Sequence, residues 1–507
     1  MRSRMKKLLI RAVALGAMAA IFVGLYYLQK QLQVEQVFTD MTMELGVSVS
    51  EEIEDYLIAE EWLLEKAVLD RKEVDEKHPG QYQIYCKVLN KQFTYTIRIE
   101  DTTAPTVEVK ENIPCLQVNE EYEISDFIMT VSDLSEDVEV FFVNDSRQEK
   151  CITFEEKGSY DLQIRAQDPS GNYTDTIFTV QADTPPRLLG AWDRYVVRGQ
   201  EFDLLQGILA VDEEEGLISE KIEAVAPAFD NNTVGEYEVV YTVRDSNGLE
   251  TSQTISVIVC EKADAKQYEE WDARTLSEEE IALLCEVNYF SYEPLEEPDY
   301  EKTLELVKPT LLNIRGGTKS GSGFIVDINP EYIYCVSVEH VTKHFRKGGN
   351  IIFHDDTAVE VVCDDIRLSD NNEVVLMRIS TALVPYDTLL SLKQIYVDLD
   401  IYSKVGNDEP LIEYCSNWAF DFDDIIKKVQ LRKTTASIKC NGQYYENGCI
   451  ETSRGARSGM SGTAVVDYRG TLVAVVSIVD SGQGADFSMK VDEMDTFKDR
   501  ITEFSES

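Results

Sequence analysis

The sequence predicts a mainly β protein: three small β-sandwiches in tandem, then a larger C-terminal β domain, all behind one apolar N-terminal helix. Three observations carry this. Gly80-Gln81-Tyr82, Gly158-Ser159-Tyr160 and Gly235-Glu236-Tyr237 recur 78 and 77 residues apart, and each opens an alternating apolar run such as Tyr237-Glu238-Val239-Val240-Tyr241-Thr242-Val243. From residue 304 onward, short apolar runs alternate with Gly- and Asp-containing turns. Residues 12–28 form an unbroken apolar stretch.

The N-terminal stretch follows Arg2, Arg4, Lys6, Lys7 and Arg11. Residues 12–28 are long enough to span a bilayer with help from their flanks, and the positive end is expected to stay in the cytoplasm. Residues 1–11 are therefore read as a cytoplasmic basic segment and 12–28 as a single-pass transmembrane signal anchor, with the bulk of the chain extracytoplasmic at the cell membrane. Ala17-Met18-Ala19 has the small-x-small form of a cleavage site, but the apolar run continues to Leu28, which fits an uncleaved anchor better.

The 507 residues exceed one ordinary core, so several domains are expected. The formal charge of -45 excludes nucleic acid as a main partner, because phosphate would meet repulsion rather than counterion release. Membrane contact is expected through residues 12–28 instead. The ten cysteines show no C-x-x-C spacing. Cys440 and Cys449 flank a hairpin loop and are candidates for a cross-strand disulfide; Cys115 with Cys151 is a second candidate pair.

The repeats set module boundaries at 37–101, 102–182 and 183–260. In the second and third, a turn follows the G-x-Y strand at equal distance, Asp168-Pro169-Ser170-Gly171 and Asp245-Ser246-Asn247-Gly248. The joints Asp101-Thr102-Thr103-Ala104-Pro105 and Asp183-Thr184-Pro185-Pro186 carry proline, which makes them stiff. These motifs resemble bacterial Ig-like modules of surface proteins over about residues 37–260, which implies β-sandwiches acting as spacers or as weak binding surfaces for a cell-surface ligand. The first module departs from the pattern: Ile53–Asp70 is rich in Glu, Leu and Ala, and Asn90-Lys91 replaces the Asp turn, so an irregular, partly helical sandwich is expected. The turn aspartates lack EF-hand spacing and read as Asx-turn caps.

Residues 261–303 are strongly acidic with Pro294 and Pro298 near their end, the composition of a linker. Ser277 and Glu280 form a capping box ahead of Ile281, Leu283, Leu284 and Val287. Two readings stay open, a helix that packs on a neighbouring domain and a solvated acidic tether.

Within 304–507, Ser461 lies in Gly459-Met460-Ser461-Gly462, after a polar loop and before Thr463–Asp467 and Thr471–Ser477. A serine between glycines lets a hydroxyl face a substrate while backbone N–H groups converge on an oxyanion. Tyr334-Cys335-Val336-Ser337-Val338-Glu339-His340 delivers one of only four histidines at a strand end, and Glu373 precedes the apolar Val374–Ile379. The region resembles trypsin-like serine proteases of the HtrA (DegP-type) branch. That resemblance implies a chymotrypsin-like double β-barrel, with Ser461 as nucleophile, His340 as general base and Glu373 standing where the family has aspartate. Asp370 or Asp365 is the alternative carboxylate. His344 at i+4 lacks the Glu of H-E-x-x-H, so no metal is expected. Asp486–Asp492 and a short helix to Phe504 resemble the end of the protease unit.

By the same resemblance the oxyanion hole is formed by the Gly459 and Ser461 N–H groups, and the specificity pocket by Gly455, Ser477, Ile478 and Val479. No acid is evident at the pocket base, so a small or medium apolar side chain is the expected preference. The implied activity is that of a membrane-anchored extracytoplasmic serine endopeptidase acting on protein or peptide substrates without a cofactor. The alternative is a catalytically inactive protease fold serving as a surface binding or adhesion module, a reading for which Glu373 is the best support.

Overall fold

The computed structural model describes residues 2–144, 147–368, 373–398, 400–418, 423–440, 443–480, 485–490 and 504. The chain divides into two units, Met1–Thr184 and Pro185–Ser507. In the first, Arg2–Gln31 is one continuous helix. Its Arg4–Lys30 portion is long and apolar enough to cross a membrane, with none of its apolar window buried in protein. That is the character of a membrane anchor or a signal sequence.

The G-x-Y repeat opens the long hairpin of each module: Gly80–Val88 with Lys91–Glu100, Gly158–Gln167 with Tyr173–Asp183, and Gly235–Arg244 with Glu250–Cys260. Period-two patterning turns Ile84, Cys86 and Val88 inward in the first, Leu162, Ile164 and Ala166 in the second, and Val239, Tyr241 and Val243 in the third. The repeated tyrosine has a physical explanation. Its hydroxyl donates to the carbonyl four residues earlier, Tyr82 to His78 (2.8 Å), Tyr160 to Glu156 (2.6 Å) and Tyr237 to Thr233 (2.8 Å), pinning the chain as it enters the strand.

In the second module the hairpin sheet runs Arg147–Glu149, Glu139–Asn144, Gly158–Gln167, Tyr173–Asp183, Leu116–Gln117, opposed by the pairs Thr106–Val109 with Ile128–Ser132 and Glu121–Glu123 with Cys151–Thr153. The third has Arg194–Val197, Glu250–Cys260, Gly235–Arg244 and Glu223–Val225 against Arg187–Leu189, Leu209–Asp212 and Gly216–Leu217. The first keeps one four-stranded sheet, and its opposing layer shrinks to Glu35–Gln36 with Leu57–Ile58 and two short helical turns, Ile53–Asp55 and Glu61–Leu64. Its hairpin turns through Leu89 at φ 55° rather than through an aspartate.

The cysteine expectations fail. Cys449 lies opposite Ala436 whereas Cys440 lies opposite Gln443, so the ladder keeps the two apart; Asn441 and Gly442 of that loop lie outside the described residues. Cys151 is a free thiol.

The acidic stretch after residue 261 is docked, not solvated along its length. Ser277 caps Glu278–Glu286 with the expected reciprocal bonds to Glu280, and Ile281, Leu283 and Leu284 are buried in the core of the C-terminal domain. Tyr289 Oη donates to the Leu390 carbonyl (3.0 Å) and Tyr292 Oη to that of Gly470 (2.6 Å). The third module is also fixed to this domain: Trp192 packs on Tyr386, whose hydroxyl donates to the Gly207 carbonyl (2.8 Å).

That domain holds two seven-stranded sheets. The first is antiparallel and open, in the order Ala358–Val361, Gly349–Phe353, Leu311–Gly316, Lys319–Ile328, Tyr332–Val338, Val374–Ser380, Asp364–Arg367. In the second, Thr471–Asp480 pairs with both Ala464–Asp467 and Ala485–Lys490. This closes a ring of six with Pro410–Trp418, Asp423–Cys440 and Gln443–Ser453, and Tyr396–Val397 adds a parallel strand outside it. Ile314, Phe324 and Val338 of the first sheet share one core with Ile412, Tyr414 and Val466 of the second. The fold is thus mainly β, with sandwich modules ahead of paired barrel sheets. The helix expected before Phe504 falls in 491–503, outside the described residues.

Candidate active site

The buried strand Tyr332–Val338 runs antiparallel to Val374–Ser380, with Val338 opposite Val374. Where the two strands end, the Glu339 N–H donates to the Glu373 carbonyl at 2.8 Å, and the chain turns into a one-turn helix, Glu339–Thr342, carrying His340. Register alone therefore sets His340 beside Glu373. The His340 Nδ1 to Glu373 Oε2 distance is 2.9 Å. The imidazole tautomer with its hydrogen on Nδ1 suits this bond and presents Nε2 as an acceptor.

Glu373 is 8% exposed, and its other oxygen, Oε1, accepts the Ser477 hydroxyl from the second sheet. Donors on both oxygens hold the glutamate side chain in place. Ser477, expected in the pocket wall, is thus committed to the carboxylate behind the imidazole. Asp365 is engaged elsewhere, by Thr342 Oγ1 at 2.6 Å and Arg346 Nε at 3.1 Å. Asp370 lies outside the described residues.

The serine loop is a pair of tight turns, Met460 N–H to the Arg457 carbonyl and Thr463 N–H to the Met460 carbonyl, each 3.0 Å. Met460 is fully buried and anchors the loop. Gly462 has φ 89°, and a Cβ there would lie 2.0 Å from the Ser322 carbonyl oxygen, so only glycine fits. The Ser322 N–H donates to the Ser461 carbonyl at 2.8 Å, tying the loop to the first sheet.

Ser461, Gly459 and His340 line one cavity of about 220 Å³, together with Ser320, Arg457 and His344. Among the described residues, neither the Gly459 nor the Ser461 N–H donates to a protein acceptor, and no hydrogen bond joins His340 to Ser461. Catalytic bonds of this kind often tighten only with substrate bound.

Two buried acids lie beside Gly455, one of the residues expected to line the specificity pocket. Glu413, on Pro410–Trp418, is fully buried with neither carboxylate oxygen partnered, and a Cβ added to Gly455 would meet its Oε2 at 2.7 Å. Asp486, 1% exposed, accepts the Gly455 and Ala456 N–H groups on Oδ2 at 2.6 and 2.8 Å. Burial, then the Asp486 charge, pushes the Glu413 carboxyl up to about 8, with Lys427 opposing. A charged residue inside the apolar Leu411-Ile412-Glu413-Tyr414-Cys415 run was the available signal. The side chains of Ile478 and Val479 lie outside the described set.

Residues 186–259 match the family model of a bacterial surface protein Ig-like domain. No curated protein matches the chain. Among solved structures, the inactive form of Rv3671c from M. tuberculosis H37Rv is similar at 13% identity and TM-score 0.31, over 42% of this chain and 97% of that one. The HtrA-type protease AlgW with tripeptide is similar at 16% identity and TM-score 0.32, over 40% of this chain and 64% of its own. At such values the likeness assigns no residue roles.

Proposed function

We propose that the chain is a membrane-anchored, extracytoplasmic serine endopeptidase of the trypsin-like, HtrA-related type. The observation that carries the reading is His340 bonded through Nδ1 to Glu373 while facing the cavity that Ser461 and Gly459 share. Ser461 attacks the peptide carbonyl, His340 takes the proton at Nε2 and returns it to the leaving amine, and Glu373 holds the imidazole and stabilises its cation. The Gly459 and Ser461 N–H groups, which have no protein acceptor among the described residues, receive the oxyanion. The acyl-enzyme is then hydrolysed by water that His340 activates. The helix at 12–28 keeps the head near the membrane, with Arg2, Arg4, Lys6, Lys7 and Arg11 on the cytoplasmic side.

Hydrolysis of a peptide library by the full-length protein in detergent, beside Ser461→Ala, tests this. Cleavage by wild type alone supports it. A missing His340–Ser461 bond also fits an inert binding head, and equal absence of cleavage in both proteins, each folded, would favour that second reading.

A further inference from the structure

The sandwich modules contain a group of carboxylates that turn capping does not account for. At the joint between the first and second modules Asp101, Asp133 and Asp168 bring carboxylate oxygens within 4.8 Å of one another. Asp101 and Asp168 are buried, at 7% and 4% exposure. Asp101 follows the last strand of the first module, Asp133 follows Ile128–Ser132, and Asp168 follows Gly158–Gln167, so three separate loops converge at the joint between two modules.

Turn capping consumes part of this group: Asp168 accepts from Asn172 N–H (2.9 Å) and Nδ2 (2.8 Å), and Asp101 from Ser135 Oγ (2.5 Å) and Thr103 N–H (3.3 Å). It leaves Asp133 Oδ2 buried without a partner. Among the described residues, no Lys, Arg or His forms an ion pair with any of the three.

The third module repeats the pattern independently. Asp212 ends Leu209–Asp212 and Asp245 follows Gly235–Arg244, so they stand 79 and 77 residues after Asp133 and Asp168. They are 3% and 6% exposed, and each keeps an Oδ2 with no hydrogen-bond partner. The Oδ1 atoms are occupied, by Glu214 and Glu215 N–H on Asp212 and by Leu249 N–H on Asp245. Glu215 ties the two turns together, its N–H donating to Asp212 and its Oε1 accepting the Ser246 N–H next to Asp245 at 2.6 Å; burial raises the Asp245 carboxyl, and the Asp212 charge adds to the shift. Lys221, whose charge Asp245 also feels, is bonded to Glu215 and Ser246.

Buried like charges with unpartnered oxygens are costly unless a cation joins them. We infer that the second and third modules each hold a Ca²⁺ ion, bound by Asp101, Asp133 and Asp168 in one and by Asp212 and Asp245 in the other. The donors are all oxygen, which selects a hard cation. Ca²⁺ places its ligands at roughly 2.3–2.6 Å, so ligand atoms across its sphere stand up to about 5 Å apart, whereas Mg²⁺ at about 2.1 Å demands a tighter set. In the second module the ion ties the joint at Asp101 to two loops of the following sandwich, stiffening the stalk.

The test uses the full-length protein in detergent, stripped with EDTA and titrated with CaCl₂ in 150 mM KCl, by calorimetry and thermal unfolding. One ion per module is expected, with a dissociation constant on the order of 10⁻⁴ to 10⁻³ M and a rise of several degrees in the sandwich transition at saturation. Asp168→Asn and Asp245→Asn should each remove one ion, and their combination both, while MgCl₂ binds more weakly. Absence of saturable heat and of any thermal shift at 10 mM CaCl₂ would overturn the inference, and this wild-type result stands even if a variant misfolds. Binding unchanged in the folded double variant would overturn it too. So would transitions that rise on acidification but ignore Ca²⁺, since protons would then be neutralising the carboxylates.

Discussion

Two buried glutamates of the C-terminal domain have opposite surroundings. Glu373 has a donor on each oxygen, from His340 and Ser477. Glu413 has none, and burial beside Asp486 pushes its carboxyl up to about 8. The same side chain thus serves two ends: where elements from both sheets converge on it, it orients an imidazole; where one strand carries it into an apolar layer, it keeps its proton near neutral pH. Partners, not residue type, separate the two glutamates.

The comparison breaks most sharply at Glu373. Glu373→Gln keeps the shape but removes the charge and permits the wrong imidazole tautomer, so kcat should fall by ~10⁴-fold with the melting temperature nearly unchanged. A loss under tenfold would mean that another group orients His340. Steady-state kinetics on a cleaved peptide gives the number.

Glu413→Gln should act on stability instead. The folded carboxyl ionises near pH 8 against an ordinary 4.5, so between these limits the native state holds the extra proton. Its stability therefore falls as pH rises through that window. Glutamine has no proton to lose, and relative to wild type the variant should gain about 3 kcal/mol between pH 5 and pH 8 in denaturant unfolding. Parallel pH profiles for the two proteins would show that Glu413 does not titrate there.

Ser477→Ala removes one hydrogen bond to a charged group, worth about 1.5 kcal/mol, so kcat should drop about tenfold, far less than for Glu373→Gln. Smallest is a specificity shift. As pH passes about 8 and Glu413 ionises, cleavage after Arg relative to Val should rise about threefold, and Glu413→Gln should abolish the rise. A ratio flat with pH in wild type would remove Glu413 from the substrate pocket.

Much of this was legible in the sequence because it depends on local rules. The G-x-Y spacing found the three hairpins, since the tyrosine hydroxyl closes on its own strand entry. Ser277 and Glu280 announced a helix start, and the reciprocal bonds are there. The juxtaposition of His340 with Glu373 needed only that two adjacent strands end together. What failed depends on distant register. Ser477 faces Glu373 across 104 residues, and Glu413 reaches Gly455 from a strand 42 residues upstream. Cys440 and Cys449 looked like hairpin partners, but the ladder runs on to Cys440 opposite Gln443, which leaves Cys449 six residues further along its strand, opposite Ala436.

The most direct test of the central claim is labelling of the full-length protein with a fluorophosphonate, read by mass spectrometry of the modified peptide. Adduct on Ser461 at a rate that collapses in His340→Ala is the predicted result. No adduct on folded wild type, or an adduct whose rate ignores His340→Ala, would contradict the account.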